Sequence, residues 1–102
     1  MPYVGDPTKQ VQRVAIGCGA AGEFLAQVIA QKADVFLVGE AKFHQYLEAM
    51  ANEVAMILPG HYASERFAVE QLADILANHF HDLDDPPVVW SSRLESDPLR
   101  LS

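Results

Sequence analysis

The run Ala33-Asp34-Val35-Phe36-Leu37-Val38-Gly39-Glu40 decides the fold class. Its apolar core, bounded by an aspartate and a glycine, is a strand with no polar side, and such a strand needs cover on both faces, as in a parallel sheet. The same rhythm continues outward in both directions. Upstream, Arg13 to Gly17 reads as a short strand and Gly17-Cys18-Gly19 as a turn. Gly22 to Lys32 then carries Phe24, Leu25, Val28 and Ile29 at helical spacing. Downstream, Ala41 to Asn52 is helical with Phe43, Leu47 and Met50 along one side, and Val54 to Leu58 is a third strand stopped by Pro59-Gly60. The longest helix follows, from Ala63 to His79, with Val69, Leu72, Ile75 and Leu76 forming a stripe expected to face the core. An acidic link leads to Val88-Val89-Trp90, the expected fourth strand, so that residues 83–102 hold link, strand and polar tail. Alternating strands and helices predict an α/β fold. The expectation is a mainly parallel or mixed sheet of about four strands, three helices packed on it, and one domain over residues 1–102.

Composition narrows the function classes. A chain of 102 residues suits one hydrophobic core and leaves no room for separate cofactor and substrate domains. Its formal net charge of -7 repels phosphate backbones and anionic lipid, so nucleic acid and membrane are not expected partners. No apolar run approaches the ~20 residues of a bilayer span, and the first residues carry neither the basic nor the apolar segment of a secretory signal. A cytoplasmic protein is the expectation. The single cysteine, Cys18, excludes an intrachain disulfide and a cysteine-rich zinc ribbon.

In parallel strands all C-terminal ends meet one edge, where ligands of open α/β sheets bind. Three glycine-led segments arrive there: Gly17-Cys18-Gly19, Gly39-Glu40 and Gly60-His61. In the first, Gly17, Gly19 and Gly22 fit G-x-G-x-x-G between strand and helix, with Glu40 placed as a ribose-binding carboxylate. This segment is read either as a phosphate or substrate loop of a nucleotide-binding domain, or as a tight turn that packs helix on strand.

The third segment, Gly60-His61-Tyr62-Ala63-Ser64-Glu65-Arg66, places His61 and Glu65 one helical turn apart. Stepping on from Glu65 reaches the apolar stripe, so this carboxylate is expected at the stripe's inward end, in need of a metal, an arginine or backbone amides. Metal ligation and ordinary helix capping by Ser64 or His61 both satisfy the pattern. Two ligands do not complete a zinc site, which has three or four from protein. His44, one turn beyond Glu40, is the nearest reserve; alternatively it is a surface histidine. His79 and His81 suit a helix C-terminus, and Asp82, Asp84 and Asp85 a solvated link. Trp90 is expected as a core or interface aromatic.

Four blocks, in order and spacing, carry a family resemblance: Val4-Gly5-Asp6-Pro7; Arg13-Val14-Ala15-Ile16 with Cys18-Gly19-Ala20-Ala21-Gly22; Ala33 to Glu40; and Gly60 to Phe67. Over residues 4–80 the chain resembles the C-terminal half of the NIF-three-like proteins, a dinuclear-metal-binding family that carries the label "GTP cyclohydrolase one type two". The resemblance implies two similar α/β halves, ring-shaped homo-oligomers and two divalent metal ions between the halves. It implies His61 and Glu65 as metal ligands and Glu40 and His44 as lining residues. The histidine pair and aspartate of the other half are missing, since no histidine precedes His44. The chain is therefore expected to be a metal-binding half-domain of a metal-dependent hydrolase, incomplete alone, with the absent N-terminal half as partner. The metal is zinc, iron, manganese or magnesium, which the sequence does not separate. A non-catalytic interaction or oligomerisation module is the competing expectation.

Overall fold

β3, Val35–Val38, occupies the middle of a four-stranded sheet in which β2, Val14–Gly17, and β4, Ala55–Ile57, run parallel to it on either side. The register pairs Phe36 with Ala15 and with Met56. β1, Tyr3–Val4, closes the β4 border antiparallel, with Tyr3 opposite Ile57, giving the order β1-β4-β3-β2. Helix α1, Leu25–Ala30, follows a single 3-10 turn at Ala21–Phe24; α2 is Phe43–Ala51 and α3 is His61–Phe80. The structure, a computed structural model, describes residues 1–100. The α/β class, the mixed sheet and the three helices agree with the sequence reading. No helix among the described residues is long and apolar enough to cross a membrane.

The chain forms two compact units, Met1–Ser64 and a second that begins at Glu65. The first holds the core. Phe36, Val38 and Met56 supply its sheet layer, and Leu25, Val28, Ala49, Val54 and Leu58 pack onto it. The continuous apolar run of β3 is buried at Val35, Phe36 and Val38, as a strand covered on both faces must be. The loop before β3 is braced by Asp34, whose carboxylate accepts the amides of Gln12 at 2.9 Å and Arg13 at 2.8 Å. Those two backbone hydrogen bonds hold the Asp34 carboxyl below its ordinary value.

The side of α2 that carries Phe43, Leu47 and Met50 is exposed, and the helix turns Ala49 and Tyr46 inward. The Tyr46 hydroxyl donates to the Ala41 carbonyl at 2.8 Å, so a partly polar face packs because its polar atom is satisfied. Val88-Val89-Trp90 forms no strand, and Val88 and Trp90 are exposed. Pro86-Pro87 immediately before it supplies no backbone N–H groups for a ladder. The fourth strand is Tyr3–Val4, ahead of the first strand read from the sequence.

The second unit contains most of α3 and the segment after it. No residue of α3 is buried, and Phe67, Val69, Leu72, Ile75 and Leu76 are exposed, contrary to the expected core-facing stripe. Helical periodicity encodes a face that asks for cover; it does not specify which surface supplies it. Within this unit Arg66 hydrogen-bonds the Ser92 carbonyl and lies 3.6 Å from Glu70 and 3.9 Å from Glu95. The segment after α3 is thereby tied to Arg66 at Ser92.

Candidate functional site

The three glycine-led segments do meet, and backbone hydrogen bonds join them. The Glu40 amide donates to the Gly19 carbonyl at 3.0 Å, and the Gly60 amide donates to the Gly39 carbonyl at 2.9 Å. Ser64 completes the knot. Its hydroxyl accepts the Gly19 amide at 2.9 Å and donates to the His61 carbonyl at 2.8 Å. Gly39 makes the approach possible, because a Cβ there would lie 2.5 Å from Ser64 Oγ and 2.6 Å from the Gly19 oxygen.

On this frame stand two chemistry-bearing side chains. His61, the first residue of α3, donates from Nδ1 to Glu40 Oε1 at 2.7 Å. A carboxylate accepts only, so this contact places the imidazole proton on Nδ1. Both side chains are about half exposed, 46% for His61 and 50% for Glu40, which leaves them accessible to a ligand. Glu65 follows one turn later in α3 and is exposed, where the sequence reading expected the inward end of a buried stripe. The stripe itself is exposed, so its end is too.

Glu40 also borders a cavity of about 340 Å³ with Gly22, Glu23, Lys42 and Gln45. His44 is exposed on α2, and among the described residues it makes no hydrogen bond or ion pair; it does not line this cavity. A larger cavity, of about 540 Å³, lies elsewhere, lined by residues such as Gly5, Lys9 and Glu53. Among the described residues no three His, Cys, Asp or Glu side chains gather so as to hold a metal.

The glycine fingerprint of the first loop has a packing explanation at Gly17 and Gly22. A Cβ at Gly17 would meet Ala21 at 2.8 Å and the Phe36 ring at 3.2 Å, and one at Gly22 would meet Gln45 at 2.3 Å. The Gly19 amide is already taken by Ser64. The following helix has only six residues after its 3-10 turn, a short dipole for anchoring a phosphate. Cys18, between the glycines, is exposed. Ser64 is the residue whose importance the sequence concealed. It reads as a cap, but its partner Gly19 lies 45 residues away, a distance that no local pattern signals.

Comparison with known proteins places this edge in a family. The Duf34/NIF3 (NGG1p interacting factor 3) family model matches residues 1–98. A Campylobacter jejuni protein named "GTP cyclohydrolase 1 type 2 homolog" is 41% identical over 70 residues, covering 69% of this chain and 28% of that protein. A Staphylococcus aureus protein of the same name is 33% identical over 98 residues, covering 96% of this chain and 26% of that protein. The crystal structure of Staphylococcus aureus protein SA1388 superposes with a TM-score of 0.87 at 32% identity, over 99% of this chain and 29% of that one. A Bacillus cereus protein related to NIF3 shares the fold, with a TM-score of 0.74 at 23% identity over 99% of this chain and 28% of that one. The chain thus spans between a quarter and a third of the length of these relatives.

Proposed function

Because the chain belongs to the Duf34/NIF3 family, we propose that it contributes one side of a divalent-metal centre, with His61 and Glu65 as ligands. The observation that carries this reading is the 2.7 Å bond from His61 Nδ1 to the Glu40 carboxylate. Metal-binding imidazoles commonly donate their second ring nitrogen to a carboxylate, so the residues present fit a metal. Nitrogen and carboxylate donors together suit zinc, iron or manganese, and magnesium less well because of the imidazole. The remaining ligands come from outside this chain, in keeping with a Staphylococcus aureus relative more than three times its length.

When bound, divalent ions polarise a carbonyl or phosphoryl oxygen and acidify coordinated water, which is hydrolase chemistry. This chain's own contribution is to hold an imidazole and a carboxylate at the start of α3, and to fix that start through Ser64 and Gly39. Metal analysis of the protein against His61→Ala and Glu65→Ala tests the reading. Lower zinc affinity or stoichiometry in both variants is expected; unchanged values in both overturn it.

The exposed face of α3 favours a second reading beside the first, an interaction or oligomerisation surface. A 20-residue helix with no buried residue and five large apolar side chains exposed is suited to burial against another surface. The two readings are compatible, since a metal site completed from outside this chain requires an interface.

A further inference from the structure

We propose that Glu40 is the positioning residue of His61: its carboxylate fixes the imidazole as the Nδ1–H tautomer and so makes Nε2 the coordinating nitrogen. The consequence for metal rests on the reading above; the tautomer itself does not. A neutral imidazole has one proton and chooses its nitrogen according to what the other contacts. At 2.7 Å from an acceptor that carries no proton, Nδ1 must hold it.

The contact is built from the backbone outward. Glu40 and His61 lie 21 residues apart on different segments. The Glu40 amide is tied to Gly19, and Gly60, the residue before His61, is tied to Gly39. Gly39 bears no Cβ where one would strike Ser64 and Gly19. Both side chains therefore leave braced backbone and meet in one geometry, which is the condition for a positioned functional group. The pair adds little to stability, because both side chains are half exposed and water competes for the contact. A brace of this kind around a pair of small energetic value points to orientation as its use. Glu40 also lines the 340 Å³ cavity, so the group that orients His61 lies beside space a small ligand can enter.

The test needs no metal. Protein labelled with nitrogen-15 at histidine is examined by long-range proton–nitrogen correlation at a pH where the imidazoles are neutral, with His61→Gln identifying the signal. The wild type should show His61 as Nδ1–H. Glu40→Ala should move it toward Nε2–H, while Glu40→Gln, whose amide oxygen still accepts, should retain Nδ1–H. A wild-type ring protonated on Nε2, or a spectrum unchanged in Glu40→Ala, overturns the proposal. In a parallel zinc titration Glu40→Ala should bind on the order of 10–100-fold more weakly, the usual cost of losing such a partner. If His61→Ala and Glu65→Ala bind zinc as tightly as wild type, the ligand reading falls and the tautomer assignment stands. If the tautomer is wrong while those variants lose zinc, only the role of Glu40 falls.

Discussion

The Ser64 hydroxyl and the Gly19 amide lie 2.9 Å apart, and the same hydroxyl donates a hydrogen bond to the His61 carbonyl at 2.8 Å. One side chain thus couples the loop after β2 to the first turn of α3. Replacing Ser64 by Ala strands the part-buried Gly19 amide, at an expected cost of about 1–3 kcal/mol. Denaturant unfolding reads it directly; a loss below about 0.5 kcal/mol would show that water takes the amide over.

Gly39→Ala should destabilise by about 1–3 kcal/mol, because overpacking forces the backbone to shift. The obstacle at 2.6 Å is the Gly19 carbonyl, which cannot rotate away as a side chain can. Combining Gly39→Ala with Ser64→Ala should recover only part of the loss, since the alanine at 64 relieves the hydroxyl clash and not the carbonyl one. Full recovery in the double variant would contradict this account.

Phe36 is 1% exposed at the centre of the core, and Ile16 is 72% exposed on the border strand. Phe36→Ala should therefore cost about 3–5 kcal/mol, enough to unfold a domain of this size. Ile16→Ala should stay within about 0.5 kcal/mol. Thermal melts of the two proteins check the contrast, and similar melting shifts would contradict the assignment of the core.

Asp34 gives a pH signature of definite sign. Its carboxyl is held below 3.8 by the Gln12 and Arg13 amides, so the folded state favours the charged form. That contribution is present above the unfolded value and is lost as pH falls through the lower folded one. Asp34→Ala should lower Tm at neutral pH, and the difference from wild type should shrink as pH drops below 3.8. A gap independent of pH would rule this mechanism out.

Leu72 and Ile75 are exposed on α3, so changing both to Ser should leave the unfolding free energy of the chain within about 1 kcal/mol. Sedimentation velocity should at the same time show weaker self-association than wild type. Unaltered association would remove this face from the interaction reading.

The sheet was legible where burial is two-sided. Val35–Val38 carries no alternation to misread, and β2 and β4 repeat its pattern more weakly. The convergence of Gly17, Gly39 and Gly60 on one edge followed from parallel topology, and the Glu40–His61 contact followed from it only in outline. What escaped was set by context. Tyr3–Val4 is too short to announce itself as a strand and exists because β4 offers a free border. Phe43, Leu47 and Met50 look like a core stripe, yet the small Ala49 is what α2 buries. Glu65 was placed inside by the same logic that buried the α3 stripe, and both are exposed.

The brace around Gly39 gives this edge a lopsided tolerance for mutation. Residues that shape the backbone cannot change without loss of stability, whereas the half-exposed Glu40 and His61 can be exchanged while the chain stays folded. Substitutions at positions 40 and 61 should consequently accumulate to normal levels in cells, so that any phenotype they cause in a genetic screen reports on the site rather than on folding.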